Sequence, residues 1–293
     1  MVQIAYVGNR GHKLRRDENI NFLDPELGMR PNPGFADISI EGNTGRSEYH
    51  ALQASFTRRF ADGVALNVNY TWGHALDDVQ DQTLYGGQPQ DGDDLAAEWG
   101  NSSGDIRHNL VFNFIYDLPF GPDRRFGGAT SGLVAHLIGG WQLNGLGIIR
   151  TGTPFTVGLG GNSRGNNNFT NQRPDRVEGV SSRPENRTID NWLNHEAFAE
   201  PEPGTFGNLG RNTEYGPNFA QVDLSLMKNA TLAPSRTFQL RVEVFNVFNH
   251  PNFDNPMAQF RDEASFGQAL NTFGRTIGLG TPRQVQFALK YMF

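Results

Sequence analysis

Apolar and polar residues alternate strictly along the last segment of the chain. One set is polar or small and consists of Gln284, Gln286, Ala288 and Lys290. The residues between them are apolar or aromatic: Val285, Phe287, Leu289, Tyr291 and Phe293. Successive side chains of a β-strand point to opposite faces. The segment therefore predicts a strand with one apolar and one polar face that ends on an aromatic residue.

The same alternation recurs in about eight segments along the chain, which predicts an all-β protein. The pattern is weaker in 48–60 and near the start. Several segments run beyond about ten residues, the length of a tilted membrane-spanning strand. Aromatic residues gather at segment ends, as in the interfacial girdles of membrane barrels. We therefore expect the apolar positions to face lipid or form a girdle, at Leu66, Val68, Tyr70, Trp72, Phe112, Phe114, Tyr116, Trp141, Phe287 and Tyr291.

The links between these segments alternate between long and short. The long ones are 8–47, 75–104, 158–217 and 249–283, and the short ones are 61–63, 119–139 and 229–235. Outer-membrane barrels have short periplasmic turns and long extracellular loops. The predicted fold is an all-β, antiparallel transmembrane β-barrel segment of about eight strands, with long extracellular loops and short periplasmic turns.

Composition narrows the possible functions. The 293 residues carry a net charge of -6 and contain no cysteine, which excludes disulfides and thiolate metal sites. The acidic balance, without a basic stripe, argues against nucleic-acid binding. The first residues show no basic segment before an apolar core, so we expect a chain without its signal peptide, either a fragment or one with a misassigned start.

Motifs that would indicate catalysis or metal binding are weak. Gly161–Gly165 matches GxSxG, but the following Asn-rich stretch is a poor helix start, which favours a flexible loop. The histidines never fall at HxxxH or HxH spacing. The favoured interpretation of one acidic segment is a solvated loop, and loose binding of a divalent cation is the alternative. Its acidic residues are Asp77, Asp78, Asp81, Asp91, Asp93, Asp94 and Glu98. We therefore expect no enzyme activity, catalytic residue, metal or cofactor.

The segment 245–251 is the strongest local cluster of unusual residues in the chain. It contains two phenylalanines close to Asn246, Asn249 and Pro251. The favoured interpretation is an aromatic girdle followed by a turn fixed by Asn and Pro, and ligand contact is the alternative.

Several motifs, in order, resemble TonB-dependent outer-membrane receptors of the Oar-like type. They are Ser47–Gln53, Arg58–Phe60, Asn69–Trp72, Ala75–Asp78, Asp105–Leu110, Gly140–Gln142, Arg150–Phe155, Glu243–Phe253, Gly278–Gln284 and the terminal Phe293. The resemblance implies a barrel of about 22 strands with an N-terminal plug and a TonB-contacting box. Residues 1–293 are then the C-terminal part of that barrel, with plug, TonB box and signal peptide absent.

The resemblance also sets the expected location and partners. The chain would lie in the outer membrane of a Gram-negative bacterium, in contact with outer-membrane lipid and lipopolysaccharide. The barrel-assembly machinery would recognise the C-terminal signal formed by Leu289, Tyr291 and Phe293. TonB would be reached only through the missing N-terminal part.

Three functions remain open at this point. The first is uptake or binding of a scarce solute by a receptor of which this chain is a segment. The second is an independent small barrel with a structural or adhesive role. The third is a soluble secreted β-sandwich that binds carbohydrate, in which the apolar faces would form a core. The residues leave the ligand open among iron chelates, vitamins, glycans and peptides.

Overall fold

The computed structural model describes residues 1–79, 88–167, 171–233, 236–274 and 279–293, and most of its regular structure is one antiparallel sheet. Each long strand pairs with the long strands before and after it in the sequence. The long strands are β1 Val2–Asn19, β2 Ser39–Ala61, β3 Val64–Asp77, β5 His108–Asp117, β6 Trp141–Arg150, β11 Phe219–Ala233, β12 Arg236–Phe245 and β13 Gln284–Met292. β1 and β13 form the two edges, and they are not paired with each other in the described residues.

Short elements occupy the links between these strands. They are β4 Gly100–Asn101, which pairs with β3; β7 Pro154–Phe155, which pairs with β10 Glu214–Tyr215; β8 Asp175–Arg176, which pairs with β9 Phe198–Ala199; the helix α1 Gly132–Ile138; and the 3-10 turns Leu95–Glu98 and His195–Ala197. Among the residues described, no helix has the length and apolarity needed to cross a membrane.

Long and short links lie at opposite ends of the sheet, which confirms the predicted fold class. The outer end carries the links 20–38, 78–107, 151–218 and 246–283. The inner end carries 62–63, 118–140 and the short link between Ala233 and Arg236. We call the links 78–107, 151–218 and 246–283 together the outer loop layer.

Two predicted link boundaries are wrong. About half of residues 8–47 are strand, because β1 and β2, of 18 and 23 residues, continue as a hairpin past the end of β3. This outer part, residues 10–19 and 39–47, is mostly polar on both faces, so the apolar alternation that marks a spanning strand disappears. Residues 229–233 likewise belong to β11 rather than to the turn.

Glycine is required at two kinds of position in the sheet. At the turn between β2 and β3, Asp62 and Gly63 have φ values of 52° and 77°, the left-handed pair of a type I′ hairpin. Within β6, Gly145 and Gly147 lie opposite Phe114 and Phe112. A Cβ on either glycine would collide with the opposite ring, so each ring lies flat over a glycine on the apolar face.

The apolar face of the sheet is not covered by the rest of the chain. Leu66, Phe112 and Val242 are half-buried, and Phe287 is 72% exposed. A soluble sandwich would need these side chains as its core, so that alternative is wrong. The buried apolar cluster lies instead in the outer loop layer, in the links 151–218 and 246–283.

Candidate functional site

The outer loop layer has a hydrophobic core of its own. Its members come from two links separated by strands β11 and β12, and they are Phe155, Val157, Leu193, Ala197, Phe198, Leu209 and Phe266. The rings of Phe198 and Phe266 meet edge to face at 5.8 Å. The imidazole of His195 stacks on Phe260 at 4.4 Å, and its Nε2 is 3.0 Å from the Phe260 carbonyl oxygen. These contacts hold the two links together as one body.

Buried ion pairs join the acidic link 78–107 and its flanking Asp77 to this body. The Arg173 guanidinium lies 2.9 Å from the Glu98 carboxylate, with side chains only 4% and 5% exposed. Arg211 pairs with Asp77 in the same way.

A third buried pair joins the outer hairpin to the start of link 78–107. Arg16 of β1 lies 2.9 Å from Asp78, and these side chains are 1% and 2% exposed. A buried charge is stable only with a partner. These three pairs therefore fasten β1, link 78–107 and link 151–218 to one another.

The prediction of a solvated acidic loop is therefore wrong for part of the group. Asp78 and Glu98 are buried, and their arginine partners were missed because they lie far away in the sequence. Asp93 and Asp94 are exposed as predicted. Asp81 lies outside the described residues. Within the described ranges, no group of three or more His, Asp or Glu side chains is arranged to hold a metal ion.

The cluster after β12 forms the predicted turn. Asn246 is fully buried with φ 48°, and its side-chain amide donates to the carbonyls of His250 and Thr281 at 2.9 Å each. Its backbone N–H donates to Asp223 on the polar face of the sheet. Phe248 is exposed. Asn246 therefore anchors the link 246–283 to the sheet.

The same link folds over the outer part of the polar face. The backbone N–H of Gly280 donates to the Gln221 side chain at 2.6 Å. The Arg150 guanidinium lies over the rings of Phe219 and Phe273, at 4.9 and 5.2 Å. The loops thus cover the side of the sheet that in a barrel faces the lumen.

Charged residues on and next to the polar face of the sheet form ion pairs. Arg107 pairs with Asp105 at 3.3 Å, and Asp117 accepts from Arg124 at 3.1 Å. Arg241 and Glu243 lie 3.6 Å apart on the polar face itself.

Ser163 of the GxSxG match lies in a loop. Its hydroxyl donates to the Thr205 carbonyl at 2.8 Å, and it is followed by bends in the described residues up to 167 rather than by a helix. The structural context of a nucleophile elbow is therefore missing around it.

A cavity of about 520 Å³ opens where strands β5, β6 and β11 reach the outer loop layer. Its wall includes Arg107, Arg183, Arg187, Trp192 and Tyr215. The Arg187 guanidinium stacks 3.6 Å from the centre of the Trp192 ring. It also donates to the carbonyls of Trp192 and Tyr215, at 3.1 and 3.0 Å. Arg107 donates to the Tyr215 hydroxyl at 3.3 Å.

The surroundings of this cavity destabilise the charged form of Arg187. Burial and, to a smaller extent, the nearby positive charge of Arg183 lower the pKa of Arg187 to about 10, while Glu214 acts in the opposite direction. A second cavity, of about 740 Å³, lies between the β1–β2 link and link 151–218, and carboxylates such as Asp24, Glu26 and Asp93 line it together with Arg164.

The predicted lipid-facing residues all stand on the uncovered face. None of the ten is buried, and Trp72 is 53% exposed. Contact of these side chains with lipid stays a prediction. Of the predicted assembly signal, Leu289 on edge strand β13 is 71% exposed, and Phe293, directly after that strand, is 93% exposed.

Sequence reasoning missed two matching tyrosine–histidine pairs on this face. The Tyr6 hydroxyl lies 2.6 Å from Nδ1 of His50, and the Tyr70 hydroxyl lies 2.8 Å from Nδ1 of His108. In each pair the histidine is two residues from the position directly opposite the tyrosine. The histidines had been tested only for metal-ligand spacing, which does not detect diagonal pairs across strands.

An antiparallel meander with an uncovered apolar face and one-sided loops defines a β-barrel class of membrane protein. The chain belongs to the outer membrane beta barrel domain family, whose model matches residues 1–286. It is therefore a protein of the outer membrane, as predicted.

A comparison with curated proteins found no match. The crystal structure of the outer membrane transporter YddB from Escherichia coli is similar at a TM-score of 0.49 and 7% sequence identity. The match covers 100% of this chain, which spans 30% of the length of that transporter.

Proposed function

We propose that the chain is the C-terminal barrel segment of a TonB-dependent receptor of the Oar-like type, which binds a scarce solute outside the cell and takes it up. The observation that carries the proposal is the outer loop layer. It is packed around its own core, it covers the polar face of the sheet, and it contains cavities of ligand size. The chain acts by binding and not by catalysis.

The open edges of the sheet favour a segment over an independent small barrel. Lipid offers no partners to backbone amides, so a spanning sheet must close. The edges β1 and β13 are unpaired with each other in the described part of the chain. Strands outside residues 1–293 would complete the barrel, as the motif resemblance implies.

The proposed partners follow from the surface of the sheet. Outer-membrane lipid contacts the apolar face, and lipopolysaccharide meets its outer rim. The barrel-assembly machinery recognises Leu289, Tyr291 and Phe293, which are exposed on the last strand. TonB acts through the N-terminal part of the receptor.

Solute accumulation in the producing bacterium tests the function. Cells that carry the gene are compared with a deletion strain and with a strain that lacks TonB, using a panel of labelled iron chelates, vitamins, glycans and peptides. We expect one class to accumulate only when both the gene and TonB are present. Equal accumulation in all three strains for every class would contradict the proposal. Heat-modifiable migration of residues 1–293 produced alone would favour the independent barrel instead.

A further inference from the structure

We propose that the cavity lined by Arg107, Arg183 and Arg187 binds the oxyanion group, carboxylate or phosphate, of a small solute whose flat portion packs on Trp192. This rests on the proposed function only in naming the ligand chemistry of that receptor. Binding at the cavity does not depend on TonB.

The charge around the cavity is unbalanced. Three guanidinium groups line it, and no carboxylate does. The two nearby carboxylates are already engaged. Asp105 is buried, pairs with Arg107 and accepts the backbone N–H of Ala75 at 2.7 Å. Glu214 accepts the Ser182 hydroxyl at 2.9 Å and lies outside the lining. Arg183 has no ion pair in the described residues, so one positive charge is left without a counterpart.

Neighbouring groups fix the position of the Arg187 guanidinium but engage only part of its donors. Stacking on Trp192 fixes the plane of its guanidinium, and two carbonyls take Nε and Nη2. Its Nη1 group has no acceptor in the part of the chain that the structure describes. A guanidinium fixed by packing loses little conformational freedom when it binds, and its planar donors match carboxylate or phosphate oxygens.

Desolvation makes an anion the favoured occupant. The cavity walls partly remove Arg187 from water and place Arg183 nearby, so its protonated form, although still the main one at neutral pH, is less stable than in water. An oxyanion between the two groups relieves this repulsion. The volume of about 520 Å³ lies within the range of small-molecule sites, and Trp192 with Tyr215 supplies a surface on which a sugar or an aromatic ring packs.

Three sugars that share the same ring separate the possible chemistries. Glucose is the neutral probe, glucuronate carries a carboxylate and glucose 6-phosphate carries a phosphate. Binding is measured by calorimetry on the full-length protein purified in detergent. We expect one or both anionic probes to bind at least about tenfold more tightly than glucose. The stronger of the two identifies the source of the oxyanion. Equal binding of all three, or no binding of any, would overturn the proposal.

Variants locate the binding at the cavity. Arg187→Gln is expected to weaken anionic-probe binding about tenfold or more, and Arg183→Gln about threefold, because Arg183 is exposed and better screened. The matched control is Arg261→Gln, an arginine of the same loop layer that pairs with Glu200 away from the cavity. Among the described residues, the Arg183 side chain makes no hydrogen bond or ion pair, so Arg183→Gln remains informative if Arg187→Gln does not fold. Unchanged affinity in Arg183→Gln would count against the site.

A result here is separable from the receptor proposal. If uptake requires TonB but neither anionic probe binds, the receptor proposal stands and only the proposed oxyanion chemistry is rejected. If an anionic probe binds at the cavity but uptake does not depend on TonB, the oxyanion site stands and the receptor proposal is rejected.

Discussion

Neutralising Glu98 by the substitution Glu98→Gln is expected to loosen the outer loop layer while the membrane strands stay intact. Both carboxylate oxygens of Glu98 lie close to Arg173 Nη1, at 2.9 and 3.1 Å. Oxygen Oε1 also accepts the backbone N–H of Gln90 at 3.0 Å. Both side chains of the pair are almost fully buried. After the substitution, the charge of Arg173 remains buried without its counter-ion.

The size of the effect follows from this burial. Removing one partner of a buried ion pair costs about 3–5 kcal/mol, because the other charge stays desolvated. The Gln side chain keeps one acceptor, so we expect the lower end, about 3 kcal/mol. The control Glu48→Gln breaks a pair with Arg10 in which the side chains are 34% and 64% exposed. That loss should be under about 1 kcal/mol.

The assay follows trypsin cleavage in isolated outer membranes across a urea series. Opening of the loop layer exposes its arginines, whereas paired strands in lipid stay protected. We expect Glu98→Gln to shift the midpoint of loop cleavage to lower urea and Glu48→Gln to leave it nearly unchanged. A double variant with Glu98→Leu and Arg173→Met should lose less than Glu98→Gln, because no unpaired charge remains. Equal midpoints for Glu98→Gln and Glu48→Gln would refute the reasoning.

Three further changes have defined outcomes. Gly147→Val should lower the free energy of unfolding in detergent by about 1–3 kcal/mol, because its Cβ displaces the Phe112 ring. The control is Gly42→Val, which should leave the free energy of unfolding nearly unchanged, because the nearest atom to its Cβ lies 3.9 Å away. Asn246→Ala should release the link 246–283 to proteolysis at a cost of about 2–3 kcal/mol, since two buried carbonyls lose their donor. Phe293→Ser should reduce the amount of the heat-modifiable folded form in membrane fractions. An amount equal to that of the unsubstituted protein would contradict a role of Phe293 in assembly.

The spanning part of the fold is readable from the sequence because each strand meets lipid on one face and the polar lumen side on the other. The resulting alternation of apolar and polar residues predicted the strands around Phe112 and Phe287, and the Asp62–Gly63 turn indicated one hairpin. The outer half of the β1–β2 hairpin was not readable, because its residues are mostly polar on both faces and do not alternate.

The loop layer was invisible to sequence reasoning for a different reason. Its core residues, such as Val157 and Phe266, follow no period, because irregular links bury side chains wherever they happen to meet. Its ion pairs join residues far apart, such as Arg211 with Asp77. The glycine- and asparagine-rich composition of these links predicted irregular loops, and only the three-dimensional structure shows that the loops form one body.

The core of the outer loop layer lies beyond the membrane, and this fixes an order of events during biogenesis. Phe266 follows β11 and β12 in the sequence and the other core members precede them, so the core can close only once those strands stand side by side. Packing of the outer loop layer is therefore a late step of folding, and a substitution in its core should leave the earlier pairing of the strands unaffected.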